Sequence, residues 1–351
     1  MAKVRVALGM SGGVDSAVAA ALLRDAGCEV VGVTCMFTGL PSDAEAVRDA
    51  REVARALGIE HAARDYAARF EREVAGRYAA DAARGLTPSP CVGCNARCKI
   101  PSLVEAADEL GCEKVATGHY ARIVRVGKTP RLAVAVAADA AKDQSYMLAR
   151  LSQPQLARLI LPLGGLTKDE VRARARALGL PVASKSDSQD ICFAPQGFAR
   201  FLEERGAAFE PGEIVDAQGR VVGRHRGLAR YTIGQRKGIG IAAAEPYYVI
   251  GKDAARNRLI VGFAEEARIA GVRVRDLVWQ ALEGSQAPFS CEVKLRYRSA
   301  PAACEVAPRA DGTAEVRLAC PQSPTAPGQH AVFYRDGVVA GTGEICEVVC
   351  A

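Results

Sequence analysis

The chain has 351 residues, 49% hydrophobic and 25% charged, a balance that excludes a mainly disordered protein and, at this length, a disulfide-stapled miniprotein. Lysine and arginine number 46 against 40 aspartates and glutamates, and the net charge of +6 permits a polyanionic partner without requiring one. No apolar run approaches the roughly 18 residues of a membrane span.

In chain order, Lys3 to Gly9 reads as a buried strand, followed by a glycine-rich turn and a helix from Val14 to about Ala26. Val30 to Thr34 is a second strand, Asp43 to Leu57 a helix, and the segment after Gly58 a third strand. A long helix from about Tyr66 to Arg84, a proline-rich loop, a helix from Asn95 to Leu110 and a strand at Lys114 to Thr117 continue the alternation. Such alternation predicts an α/β domain with a parallel sheet whose ligand lies at the carboxyl ends of the strands. From about Phe209 the helical period fades into short alternating segments between Gly and Pro. The last stretch (Cys291 to Tyr297, Ala314 to Leu318, Gln329 to Tyr334, Gly337 to Gly341) has the strand spacing of a small β-barrel.

Ser11-Gly12-Gly13-Val14-Asp15-Ser16 joins the first strand to the first helix, where backbone amides and the helix dipole can hold phosphate. Gly12 and Gly13 admit the anion close to the backbone, and Ser11 and Ser16 offer hydroxyls. Asp15 makes sense beside phosphate if it helps to hold Mg²⁺. A plain glycine turn with a helix cap is the alternative. The kinase-type phosphate loop is absent, since Gly127-Lys128-Thr129 has Arg122 where its first glycine should stand.

Met1-Ala2-Lys3 leads into only a few apolar residues, so no export leader is expected and a reducing, cytoplasmic setting follows. There the 12 cysteines point to chemistry or metal more than to disulfides. Cys91-Val92-Gly93-Cys94 lies in the loop opened by Thr87-Pro88-Ser89-Pro90, and a helix starting near Asn95 is expected to set its positive end beside Cys94 and lower that thiol's pKa. Cys192 ends the polar segment that begins at Lys185. Three readings compete: a zinc knuckle completed by Cys98 and Cys112, a four-iron four-sulfur cluster on Cys91, Cys94 and Cys192 with one iron left open, and nucleophilic thiols. Cys28, Cys35, Cys112, Cys291, Cys304, Cys320, Cys346 and Cys350 fall in apolar or strand-like contexts and read as inert and buried. Arg220, Arg224, Arg226, Arg230, Arg236 and Lys237 form a run with no acid, able to track phosphates or to be a solvated face; Tyr231 among them reads as a stacking ring or as barrel core.

With this loop and these cysteines, the chain resembles the bacterial tRNA 2-thiouridylases of the PP-loop ATP pyrophosphatase superfamily. Further similar segments are Ala116 to Arg122, Lys142 to Tyr146, Ser186 to Phe193, Tyr231 to Gly238, Arg296-Tyr297-Arg298 and Pro327 to Tyr334. The resemblance implies a PP-loop domain over 1–208, a central tRNA-binding domain over 209–270 and a C-terminal β-barrel over 271–351. It implies ATP-dependent replacement of the 2-oxygen of the wobble uridine by sulfur in tRNAs for Lys, Glu and Gln, through an adenylated uridine, with a cysteine desulfurase or sulfur-relay protein as donor. Another PP-loop enzyme that adenylates a small molecule is the alternative. By the same resemblance Gly9, Met10, Ser11, Gly12, Gly13, Val14, Asp15 and Ser16, with Cys35 and Gly118, hold ATP and its Mg²⁺. Cys94 matches the nucleophile and Cys192 the persulfide carrier. Ser89, Pro90, Cys91, His119, Lys142, Asp143, Gln144, Arg296, Tyr297 and Gln329 match tRNA contacts. Relatives carry Asn and Asp where this chain has Ser89 and Cys91, and the extra thiol keeps the cluster reading beside the persulfide one.

Overall fold

The computed structural model describes residues 3–127, 131–186, 191–207, 209–284 and 287–351. The chain divides into two compact units: residues 1–75, 91–189 and 336–340 form the first, and 76–90, 190–335 and 341–351 the second.

In the first unit, five strands lie in the order β3-β2-β1-β4-β7: β1 (Arg5–Gly9), β2 (Glu29–Met36), β3 (Glu60–Asp65), β4 (Lys114–Ala116) and β7 (Leu159–Ile160). All four pairings are parallel, as expected of strands linked by helices. Helix α1 (Val14–Asp25) buries Val14, Ser16 to Ala21 and Leu23. Its alanines let it lie close to the sheet while Val171 and Ala175 of the helix Lys168–Ala177 join the same core. Helix α2 (Pro41–Leu57) starts on a proline and stops at Gly58, whose φ of 67° is the left-handed conformation that ends helices. A hairpin of β5 (Arg122–Val126) and β6 (Arg131–Ala135) lacked the alternation that would have marked it in sequence. The expected loop at Cys91 to Cys94 is instead helical. Pro90–Cys94 is an α-helix continued by a π turn at Asn95–Lys99 and the helix Ile100–Glu109. Pro90 is tolerated because it stands in the first turn, where no amide is needed.

The second unit is mostly β. Four strands run in the order β10-β11-β8-β9, with β8 (Gly212–Val215), β9 (Val221–His225), β10 (Tyr248–Asp253) and β11 (Arg258–Gly262). Their core contains Ile214, Val249, Leu259, Val261 and Tyr231. Tyr231 is therefore barrel core and not a stacking surface. Six antiparallel strands close a barrel: β12 (Ile269–Trp279), β15 (Ala314–Gln322), β14 (Ala302–Pro308), β13 (Phe289–Lys294), β16 (His330–Arg335) and β17 (Val338–Cys350), which returns to β12. Cys320 and Cys350, expected inside, are exposed near the ends of their strands. Helices Gly76–Ala83 and Phe198–Glu203 meet through stacked Tyr78 and Phe198 rings, 4.4 Å between centroids, with Phe193 and Phe201 around them.

Candidate active site

The carboxyl end of β1 delivers the chain into the loop Met10 to Gly13, and α1 begins at Val14. Gly12 has a φ of 68°, and a Cβ there would stand 2.9 Å from Asp49 Cβ. Only glycine makes this turn against α2. Asp49 is in turn held by Lys185 Nζ at 2.6 Å, which keeps its carboxyl below the usual range. Ser16 Oγ accepts from Ser11 N–H at 3.3 Å and donates to Gly13 C=O at 3.1 Å, so this hydroxyl shapes the loop. Met10 C=O accepts from Thr34 Oγ1 at 2.9 Å. At Gly118, just beyond β4, a Cβ would come within 3.1 Å of Ser16 N. The bare backbone there leaves room at the helix N-terminus, as a phosphate cradle requires.

Asp15 behaves differently from the sequence reading. Lys168 Nζ donates to its two oxygens at 2.7 and 2.9 Å, and Tyr120 OH donates to Oδ1 at 2.8 Å. The carboxylate expected to assist Mg²⁺ is thus occupied by a lysine and a phenol. Among the described residues no group of three His, Cys, Asp or Glu side chains gathers to hold a metal ion. An Asp15-held Mg²⁺ does not fit these residues as they stand; of the cysteines expected to hold a cluster, Cys91 and Cys94 belong to the first unit and Cys192 to the second. The sequence reading missed Lys168 and Tyr120. Thr167-Lys168-Asp169-Glu170 carries a readable signal, the capping box that the structure contains. A lysine in the first turn, where it opposes the helix dipole, was the clue that it serves something else.

Cys91 and Cys94 lie on one helical stretch. Burial raises the Cys91 thiol, with Lys99 opposing. Cys94 is pushed well above an ordinary thiol, first by its hydrogen bond with Cys98 and then by burial, again against Lys99. The expected lowering by a helix N-terminus fails because the helix starts at Pro90, not Asn95, and Cys94 is in mid-helix. Cys98 is fully buried, and Asn95 is fixed by bonds to the carbonyls of Cys91 and Met147 at 3.1 and 3.2 Å. Burial drives Cys35, at the end of β2, up to about 12. Cys192 is exposed, next to Phe193 in the aromatic cluster of the second unit; residues 187–190 of its segment lie outside the described residues.

Several expected tRNA contacts have structural employment. Asp143 accepts from the amides of Ala137 and Ser145 and from Ser145 Oγ at 2.7 Å. Gln144 Oε1 accepts from Tyr120 N–H at 2.9 Å, and Tyr120 C=O from Gln144 N–H at 2.7 Å, which seats the phenol. Of that triplet Asp143 is buried, while Lys142 and Gln144 are half-buried. In the second unit Ser89 N–H donates to Gly328 C=O, and Gln329 Nε2 to Thr87 C=O at 2.6 Å. Ser89, Pro90 and Gln329 are thereby brought together. Arg296 Nη2 donates to Ile233 C=O at 2.7 Å, joining Arg296-Tyr297 to the Tyr231 to Gly238 segment. In the basic run Arg220 and Arg230 pair with Asp216 and Glu203, while exposed Arg224, Arg226, Arg236 and Lys237 have no carboxylate partner among the described residues.

His119 Nδ1 lies 2.8 Å from Thr117 Oγ1. Burial, helped by Lys99, holds its pKa down at about 3. An unfolded histidine titrates near about 6.5, so between those values the unfolded chain binds the extra proton. The stability that neutral His119 contributes is full above about pH 6.5 and drains away as pH falls toward 3. Denaturant titrations at pH 7.5 and 5 are expected to show a larger acid loss in the native chain than in His119→Gln; equal losses would place the proton elsewhere.

Three family models cover the chain: a tRNA methyl transferase HUP domain at residues 4–196, a tRNA methyl transferase PRC-barrel domain at 199–263 and an aminomethyltransferase beta-barrel domain at 269–345. The curated relatives bear a different activity in their names. The tRNA-specific 2-thiouridylase MnmA of Heliobacterium modesticaldum is 45% identical over 98% of this chain and 92% of its own. That of Chloroflexus aurantiacus is 46% identical over 98% of each, and that of Geobacter metallireducens 44% identical over 98% of this chain and 97% of its own.

Proposed function

The chain belongs to the tRNA-specific 2-thiouridylase family, and from that membership we propose how its residues carry the reaction. It is a tRNA sulfurtransferase that uses ATP. Kinship at this identity over nearly the whole chain is the observation that carries the reading, and the Ser11 to Ser16 loop, Cys94 and Cys192 in the sequence support it. A PP-loop enzyme acting on a small molecule would have no use for Cys94 and Cys192.

A uracil carbonyl oxygen is a poor leaving group and becomes a good one as AMP. The loop from Gly9 to Ser16, with Gly118 and the Cys35 strand end, holds ATP; Mg²⁺ enters on the nucleotide's own phosphates. The wobble uridine O2 attacks the α-phosphorus and pyrophosphate leaves. The terminal sulfur of a Cys192 persulfide then adds to C2 and AMP departs. Cys94, once deprotonated, attacks Cys192 Sγ, so that a Cys94–Cys192 disulfide forms and 2-thiouridine is released; a dithiol later reduces the disulfide. A cysteine desulfurase or sulfur-relay protein supplies the persulfide. The tRNA backbone follows Arg224, Arg226, Arg236 and Lys237 of the second unit, and we assign further tRNA contacts to Ser89 and Gln329 and, on the first unit, to Lys142 and His119. Among the described residues no helix is long and apolar enough to cross a membrane, and we place the enzyme in the cytoplasm with its tRNA.

The test is nucleoside mass analysis after incubating unmodified tRNA with the chain, ATP, Mg²⁺ and a persulfide source. A gain of sulfur in place of oxygen at the wobble uridine is expected; a methyl gain, or no change, overturns the reading.

A further inference from the structure

Lys168 is nearly buried, with 9% of its side chain exposed, and its Nζ is paired with the Asp15 carboxylate. Its partner Asp15 is the second residue of α1, in the turn whose amides have no helical acceptor. The Nζ therefore stands within hydrogen-bonding distance of a side chain rooted at the mouth of the phosphate loop. Tyr120 completes the arrangement. Its hydroxyl shares Oδ1 with the lysine, and the ammonium lies 5.8 Å from the centre of the phenol ring. The Tyr120 backbone is fixed at both ends by Gln144, and the Lys168 amide by Asp139 Oδ2 at 2.9 Å. Two backbone anchors thus aim two side chains at one carboxylate. A surface ion pair does not need this, and a buried pair made only for stability is a poor use of a lysine, because desolvation cancels much of the attraction.

We propose that Lys168 is a catalytic residue of the adenylation step, its ammonium carried by Asp15 against the α-phosphate of ATP, and that Tyr120 is a positioning residue for that pair. The assignment rests on the adenylation reading above. As the bond from uridine O2 to the α-phosphorus forms and the bond to the bridging oxygen breaks, the electron pair leaves with pyrophosphate, and charge grows on the phosphoryl oxygens. The N3 proton of the adenylated uridine passes to solvent and is regained when Cys94 attacks Cys192 Sγ and the 2-thiouridine is released. A cation fixed beforehand at the growing charge stabilises the transition state more than bound ATP. Lys168 therefore acts on kcat more than on KM.

Pyrophosphate release with ATP and unmodified tRNA is measured for the wild type, Lys168→Met, Lys168→Arg and Tyr120→Phe, with melting temperatures taken alongside. Lys168→Met is expected to lower kcat at least 100-fold with KM for ATP moved less than 10-fold. Lys168→Arg should recover at least 10-fold of that loss, and Tyr120→Phe should lose about 5-fold in kcat at unchanged KM. A Lys168→Met protein within 10-fold of wild-type kcat overturns the proposal. So does a kcat that falls and recovers only in step with the melting temperature across the lysine variants, which would make the pair purely structural. If the wild type itself releases no pyrophosphate, the adenylation reading falls and takes this assignment with it. Sulfur incorporation with normal pyrophosphate release in Lys168→Met would sink the lysine's role alone.

Discussion

Alanine at Cys94 or at Cys192 is expected to stop thiolation, by at least roughly a thousand-fold, while pyrophosphate release from ATP and tRNA continues. The two halves separate because the nucleotide loop and the thiols stand on different parts of the chain. Asp15 and Gly118 frame the α1 N-terminus, Cys94 sits on the helix that opens at Pro90, and Cys192 belongs to the second unit. A thiol held above its ordinary pKa, as Cys94 is, is mostly protonated near neutrality, so the sulfur step in the native chain should quicken as pH rises while pyrophosphate release does not follow it. Nucleoside mass analysis and pyrophosphate assays on the same samples read both halves. Persistent thiolation in either alanine variant defeats the persulfide scheme. Cys91→Ala is expected to remain active and iron-free after anaerobic purification, because burial raises the Cys91 thiol and, among the described residues, no group of three ligands gathers to hold a metal ion. Iron bound by the wild type and lost in Cys91→Ala would return sulfur delivery to a cluster.

The parallel sheet was legible because β1, β2 and β4 are short apolar runs, and β3 a short mixed one, between helices of regular period, and the phosphate loop because its glycines stand where strand becomes helix. What escaped was decided by tertiary contact. The Pro90 helix was hidden by its prolines and glycine, which read as a loop although Pro90 fits a first turn. Asp15 was found, but its partners lie 105 and 153 residues further along the chain, beyond any local pattern. Asp143 and Gln144 were read as tRNA contacts from their place in a motif. In the structure they bond Ser145, Ala137 and Tyr120, so the motif is at least partly a brace for the site. Tyr231, equally suited to RNA and to a barrel interior by its chemistry, is settled by 5% exposure.

Asp15→Ala is expected to abolish adenylation and also to loosen the first unit, while tRNA affinity survives. Removing the carboxylate leaves the Lys168 ammonium in place with little access to water. Breaking a buried pair from one side costs about 3–5 kcal/mol, and Asp15, one-third exposed, brings the expectation down to roughly 2 kcal/mol. Tyr120 OH loses its acceptor in the same stroke. Asp15→Asn, which keeps an acceptor for both neighbours, should regain most of the stability but not the turnover, since an amide does not hold the ammonium against the phosphate with a full charge. The double variant Asp15→Ala/Lys168→Met separates the two effects further. With no unpaired charge left, it should melt closer to the wild type than Asp15→Ala does, yet remain as inactive, the coupling that a shared contact predicts. Calorimetry, pyrophosphate release and a tRNA filter-binding assay on the set provide the check. If the double variant is both less stable than either single one and equally able to bind ATP, the carboxylate and the ammonium act independently. If Asp15→Ala releases pyrophosphate at the native rate, the phosphate loop does its work through backbone amides alone.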